Sequence, residues 1–286
     1  MATIDFTTTQ RERLTDLGVP AETVAAALGA LEADDAGARN EKYRALELAA
    51  VRENRDGLSR LAEDDRVTPS LNTIAALADW LRGEGYTRVE TPIIIPFTML
   101  DKMTITEDEP LRDQVFRVDK NKCLRPMLAP GLYVLMRELH RILGRPVRIF
   151  EAGSCFRRET EGSKHLTEFT MLNMVEFAGV EDGGQRAKLE GLAAGAMAAV
   201  GIDDYTLETE ASVVYGETID IVSKDGLELA SASYGPHSLD PNWGVFETWV
   251  GIGFGIERVT LAKCGGENIK RYSKSVNYLG GMSLRV

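Results

Sequence analysis

Cysteine is scarce in this chain of 286 residues, which holds only Cys123, Cys155 and Cys264. Three widely separated thiols without metal-ligand spacing exclude a disulfide framework and a cysteine metal site; they predict buried thiols in a reducing compartment. Long apolar runs are missing too, so no segment predicts a membrane span, and residues 1–10 have neither the basic start nor the apolar stretch of a signal peptide. The expectation is a cytoplasmic protein. There is no Walker-type loop and no strand running through Gly-x-Gly-x-x-Gly into a helix, which argues against a doubly wound nucleotide fold. No internal repeat and no long flexible linker interrupt the chain. Basic residues are in deficit, 33 against 44 acidic ones for a net charge of −11, which does not advertise a nucleic-acid partner. Locally the balance reverses: Lys263, Lys270, Arg271, Lys274 and Arg285 face a single acid, Glu267, in the last stretch. Such a strip suffices for phosphate contact, although it also reads as a solvated face.

What is present is α+β patterning. From about Pro69 onward helix and strand signals alternate. Ala129–Leu143 predicts a helix entered at Pro130, Gln185–Val200 an alanine-rich one, and Tyr205–Ser233 alternates apolar and polar positions as a half-buried antiparallel sheet does. Antiparallel pairing with helices on one side is an α+β arrangement, here one domain over 67–286. Residues 1–66 predict a helical preface. Leu14, Leu17, Val24, Leu28 and Leu31 form an apolar stripe, Pro20 suits a first helical turn, and an amphipathic helix runs from about Arg39 to Asn54. The charged stretch between Gly57 and Pro69 is the best boundary.

The densest chemistry lies in Arg148–Phe177, RIFEAGSCFRRETEGSKHLTEFTMLNMVEF. Two alternating arms joined by a polar loop holding Gly162 and Ser163 predict a hairpin. Phe169, Met171, Asn173 and Val175 share one face of its second arm, and Arg157 and Glu159 share a face on the first. These residue types suit attack by a carboxylate on a phosphate. No proton needs removing, and a permanently charged, planar arginine can hold both anions in place.

Two further segments flank the hairpin. ADWLRGEGYTRVETPIIIP, Ala78–Pro96, reads as a helix ended by Gly83 and Gly85 and then a strand carrying Pro92; GIGFGIER, Gly251–Arg258, reads as a glycine-rich strand entering a helix. In order and spacing the three resemble motifs 1, 2 and 3 of class II aminoacyl-tRNA synthetases. Within that class, MTITEDEPL, LRPMLAPGLY, FEAGSCFRRE, HLTEFTMLNMV, YGETIDI and GFGIER, scattered from Met103 to Arg258, are similar to the wording of pyrrolysyl-tRNA synthetases, in particular of the short layout without a separate N-terminal tRNA-binding domain.

That resemblance implies an activity, the attachment of pyrrolysine to tRNA(Pyl) with ATP and Mg2+, and it implies roles. ATP falls to Arg157, Glu159, His165, Leu166, Phe169, Glu228, Leu229, Ser231 and Arg258, with Arg157 catalytic and Glu228 and Ser231 holding the metal. The amino acid falls to Ala129, Leu132, Tyr133, Met136, Asn173, Val175, Tyr215, Ser233, Trp249 and Gly251, with Tyr215 on a mobile loop as a lid. It also implies a homodimer built on motif 1. The N-terminal helices would help to hold tRNA, or would serve only as a structural cap.

The residues add their own constraints. Positions 129, 132, 133 and 136 fall on one helix face. No carboxylate occurs among the amino-acid positions, so the ammonium of free lysine would be buried unpaired at a cost of several kcal/mol. A neutral N6-acyl lysine fits, with Asn173 bonding its amide carbonyl. Ser233, Tyr234 and Ile252 depart from the family's usual small residues, which implies a pocket floor of a different shape. Glu228 and Ser231 would lie on opposite faces of a regular strand, so a shared role demands a bulge or strand end. Two rivals remain: an amino-acid-activating paralogue with another acceptor, and a catalytically dead tRNA binder.

Overall fold

The computed structural model describes residues 5–29, 36–63, 68–158, 166–212 and 214–286. Three helices open the chain: α1 (Thr8–Leu17), α2 (Ala21–Gly29) and α3 (Ala36–Glu63). Thr7 and Gln10 cap α1 reciprocally, each side chain bonding the other's backbone N–H, and Gly18 ends the helix at φ +80°. Leu14 and Leu17 are buried, whereas α2 buries no side chain fully and Leu31 lies outside the described residues. The stripe is carried by two successive helices, with Gly18 ending the first and Pro20 directly before the second. Helix α3 runs past Asn54 to Glu63, so Gly57 sits inside a helix and not at a boundary. The cut at 66/67 falls among residues outside those described.

The preface is tied to the end of the chain. Asn54 is buried; its Nδ2 donates to the Leu17 carbonyl, and its Oδ1 accepts from Ser283 N at 2.6 Å. A Cβ on Gly57 would come 2.8 Å from Met282 Cγ, so glycine allows the close approach.

Helix α4 (Pro69–Gly83) starts with proline in its first turn and buries Thr73, Leu77, Ala78 and Leu81 at helical spacing. Gly85, at φ +82°, turns the chain into β1 (Thr87–Arg88). The expected strand through Pro92 is broken. Only β1 joins the main sheet, and the chain re-enters extended structure at β2 (Ile94–Pro96), which pairs with β3 (Lys122–Leu124) in a separate ribbon. Proline has no N–H for a ladder, and Thr91 before it gives both its N–H and its hydroxyl to the Glu151 carboxylate. Two short helices, α5 (Phe97–Lys102) and α6 (Pro110–Asp113), fill the interval.

Helix α7 (Ala129–Leu143) precedes the hairpin of β4 (Val147–Phe156) and β5 (Glu168–Phe177); α8 (Gln185–Val200) follows it. Then come β6 (Tyr205–Ser212), β7 (Gly216–Ser223), β8 (Glu228–Gly235), β9 (Trp249–Gly255), α9 (Ile256–Cys264), and a small ribbon of β10 (Tyr278–Leu279) and β11 (Met282–Ser283). The main sheet has the order β1-β4-β5-β9-β8-β7-β6 and is antiparallel except for β1 on β4. Leu77 and Leu81 from α4, Leu192 and Met197 from α8 and Val259 from α9 pack on Phe150, Leu172, Ile252 and Phe254 of one sheet face. On the other face α7 lays Leu132, Tyr133 and Met136 against Ile149, Val175 and Trp249, so helices lie on both sides of the sheet and not on one side alone. Strand alternation gives both faces apolar residues, and α7 covers one end of the second face while the rest lines a cavity.

Cys123 and Cys155 are buried, and burial pushes their thiols up to about 11 and about 12. Cys264, expected to be buried, is exposed at the end of α9 because the chain turns away at Gly265.

Candidate active site

The cavity has a volume of about 390 Å³ and lies on the α7 side of the sheet. Its floor follows from register. Val175, Asn173 and Met171 on β5 stand opposite Gly251, Gly253 and Gly255 on β9, and Gly251 and Gly253 stand opposite Ser233 and Ser231 on β8. Period-two alternation puts all of them on one face, a row of long side chains beside a row of glycines beside two hydroxyls. The glycines keep the floor low. A Cβ on Gly253 would meet Asn173 Nδ2 at 3.0 Å, and one on Gly251 would meet the Met174 carbonyl at 3.2 Å.

Each sequence-predicted site residue within the described segments lines this cavity: Arg157, Leu166, Phe169, Glu228, Leu229, Ser231 and Arg258 toward one end, and Ala129, Leu132, Tyr133, Met136, Asn173, Val175, Tyr215, Ser233, Trp249 and Gly251 toward the other. Glu159 and His165 lie outside the described residues. The bulge demanded by Glu228 and Ser231 is present. Ile221 pairs with Ala230 and Val222 with Glu228, so Leu229 is the extra residue that brings carboxylate and hydroxyl to the same wall.

Charge is confined to the first end. Arg157 follows β4 directly; its Nε donates to the Pro126 carbonyl at 2.9 Å, and its guanidinium lies 5.2 Å from the centre of the Phe169 ring. Arg258, in the first turn of α9, pairs with Glu228 at 3.0 Å. Ser231 donates to Asp220 at 2.6 Å. Hard oxygen donors of this kind suit Mg2+, although among the described residues no three His, Cys, Asp or Glu side chains converge as a metal cage.

The second end is aromatic and uncharged. Tyr133 meets Trp249 edge-on at 5.7 Å, and Tyr215 lies 5.9 Å from the same indole. Tyr215 sits in the turn between β6 and β7, where its carbonyl accepts from His237 Nε2 and from Glu217 N. Asn173 Oδ1 is buried there and meets no hydrogen-bond donor.

Sequence reasoning missed Glu257, which lines the cavity while both its oxygens accept from Thr170 N at 2.9 and 3.0 Å. Burial raises its pKa. Its place between Ile256 and Arg258 was a signal, since it opens a helix beside a cavity residue. Leu111 and Met127 were also missed, and they come from segments without a regular period.

The sheet order, the three-strand floor and the arginines on strand and helix define a class II aminoacyl-tRNA synthetase core, and the tRNA synthetases class II core domain (F) model matches residues 58–214. A crystal structure of pyrrolysyl-tRNA synthetase from Desulfitobacterium hafniense is similar over the full length of both chains, at 40% identity and a TM-score of 0.91. A second structure from that organism, PylSc, a pyrrolysyl-tRNA synthetase, is similar at 38% identity, covering 99% of this chain and 96% of its own, with a TM-score of 0.89. The chain belongs to the pyrrolysyl-tRNA synthetase family, and with it is an aminoacyl-tRNA ligase.

Proposed function

We propose that the enzyme activates pyrrolysine, or another N6-acyl lysine, with Mg-ATP and transfers it to tRNA(Pyl). The amino-acid carboxylate attacks the α-phosphate. Arg157 holds the carboxylate and phosphate oxygens and stabilises their charge, a role that a planar, always-ionised fork suits. Phe169 and Arg258 clamp the purine, with Glu159, His165, Leu166 and Leu229 completing the nucleotide site. Glu228 and Ser231 would help the phosphates hold Mg2+, which would supply positive charge to the phosphate oxygens. The 3′-terminal ribose hydroxyl of the tRNA then attacks the adenylate.

The unpartnered Oδ1 of Asn173 in an otherwise neutral, aromatic chamber carries this reading. A secondary amide brings one donor and one acceptor, so it can satisfy either end of Asn173, and the acyl group packs on Tyr133, Met136, Val175 and Trp249 under Tyr215. Apolar walls discriminate by only about 1–3 kcal/mol per methylene, so several acyl groups are accepted. In a charging assay with the amber-suppressor tRNA, a panel of N6-acyl lysines is expected to be esterified and free lysine is not. Charging of free lysine at a comparable rate would defeat the proposal.

Three further readings belong to the same proposal. The enzyme works as a homodimer, for which exposed Leu71, Ile93 and Ile94 on the motif 1 segments offer apolar surface. Residues 1–66 contact the tRNA beside the C-terminal basic strip, where Lys274 already pairs with Glu168 and Arg285 with Asp16. It acts in the cytoplasm; none of the described helices is long and apolar enough to cross a membrane.

A further inference from the structure

Behind the amino-acid end of the cavity, outside its lining, lies a carboxylate that the chemistry above does not use. Asp240 opens a short turn, Asp240–Trp243, and is 1% exposed. Among the described residues no cation pairs with it. Three neutral donors hold it instead: Tyr133 Oη at 2.9 Å on Oδ1, and Trp249 Nε1 at 2.8 Å and His237 N at 2.6 Å on Oδ2. Burying a carboxylate with only neutral partners is costly, and a plain filler would be apolar.

Two of the donors, Tyr133 and Trp249, are walls of the pocket, and the third, His237, reaches it through Tyr215. Tyr133 stacks on Trp243 at 5.2 Å. Trp249 is the wall that both tyrosines touch. His237, held by its backbone, grips the Tyr215 carbonyl through its ring. Gly235 leaves the space, since a Cβ there would fall 1.9 Å from Trp249 Nε1 and 2.6 Å from Asp240 Oδ2. Burial pushes the Tyr133 hydroxyl far above its ordinary value, so it stays a donor.

We infer that Asp240 is a positioning and specificity-determining residue: one carboxylate sets the orientation of Tyr133 and Trp249 and, through Trp249 and His237, the seat of Tyr215, and so the shape offered to the acyl group. The substrate side of this inference rests on the reading of the site as an N6-acyl-lysine pocket; the geometric side does not. Asp240 acts through the walls and touches no substrate. A charged acceptor shared by two rings fixes both more firmly than neutral partners would, because charge-assisted hydrogen bonds are about twice as strong.

The test is Asp240→Asn, which keeps shape and one acceptor. In ATP–pyrophosphate exchange the KM for an N6-acyl lysine is expected to rise about tenfold, the loss of one hydrogen bond to a charged group. The KM for ATP is expected to stay within about twofold, since Asp240 lies at the other end of the cavity. A second readout needs no substrate. The chain has three tryptophans, so three indole N–H signals appear in a nitrogen-15 spectrum, and Trp249→Phe assigns one of them. In Asp240→Asn the Trp249 signal is expected to move and lose exchange protection while the Trp80 signal stays. An unmoved Trp249 signal, or amino-acid and ATP KM values rising together, would overturn the inference. If the native enzyme activates no N6-acyl lysine, the proposed substrate falls, and the Trp249 signal still decides whether Asp240 organises the cavity.

Discussion

Arg157→Ala is expected to slow ATP–pyrophosphate exchange by about 10²–10³-fold, the range for removing one preorganised donor to a developing oxyanion. The expectation rests on where the guanidinium is held. Its Nε is committed to the Pro126 carbonyl and its guanidinium lies over Phe169, and the residue lines the cavity at its charged end. The boundary between that end and the aromatic one is where an amino-acid carboxylate meets an α-phosphate if the two substrates occupy the two ends. Arg157→Lys is expected to recover little, because an ammonium cannot donate to Pro126 and bridge two anions in one plane. The loss should fall on kcat more than on KM, since the contact strengthens as charge develops. Exchange within tenfold of the native rate in the alanine variant would remove Arg157 from this role.

The second large effect concerns stability. Glu151 and Arg125 form an ion pair at 2.6 Å, with side chains 2% and 4% exposed. Thr91 gives Glu151 its N–H at 3.1 Å and its hydroxyl at 2.7 Å, and Arg125 donates to the carbonyls of Thr91 and Ser154. The cluster therefore pins the broken motif 1 strand, the end of β3 and the hairpin together. Glu151→Ala strands a buried guanidinium and is expected to destabilise the fold by about 3–5 kcal/mol in urea unfolding. Replacing both partners by leucine or methionine should recover much of that loss, since it removes the unpaired charge. A single variant that unfolds with the native midpoint would mean that water reaches Arg125. The cluster also bears on chemistry, because Arg125 adjoins Pro126, the residue that holds Arg157.

Much of this was legible in the chain, for identifiable reasons. The extents of α7 and α8 follow from Pro130 at a first turn and from an unbroken alanine-rich run, and both agree with the expected residues. The shared face of Phe169, Met171, Asn173 and Val175 is a consequence of alternation alone. A bulge or strand end at Leu229 was legible from the expectation that Glu228 and Ser231, three residues apart, share a wall, and the register shift there is the bulge. Which residues line the amino-acid end came from family resemblance, since a helix stripe such as 129, 132, 133 and 136 has the same period whether it faces a core or a ligand.

Other features were hidden because their causes are distant in the chain. Asp240 bonds Tyr133 across 107 positions, and nothing in Leu239–Trp243 marks it as more than a turn. The break at Pro92 depends on Glu151, 60 positions from Thr91, taking the N–H that a ladder would have used. Cys264 was placed inside by the ordinary preference of thiols, while the chain turning away at Gly265 leaves it in water.

A crystal of the enzyme with a non-hydrolysable ATP analogue and an N6-acyl lysine tests the two-ended cavity most directly. The account predicts the purine in van der Waals contact with Phe169 and Arg258, the α-phosphate within about 3 Å of Arg157, and the acyl group between Tyr133 and Trp249. A purine bound away from Arg157, Phe169 and Arg258 would contradict it.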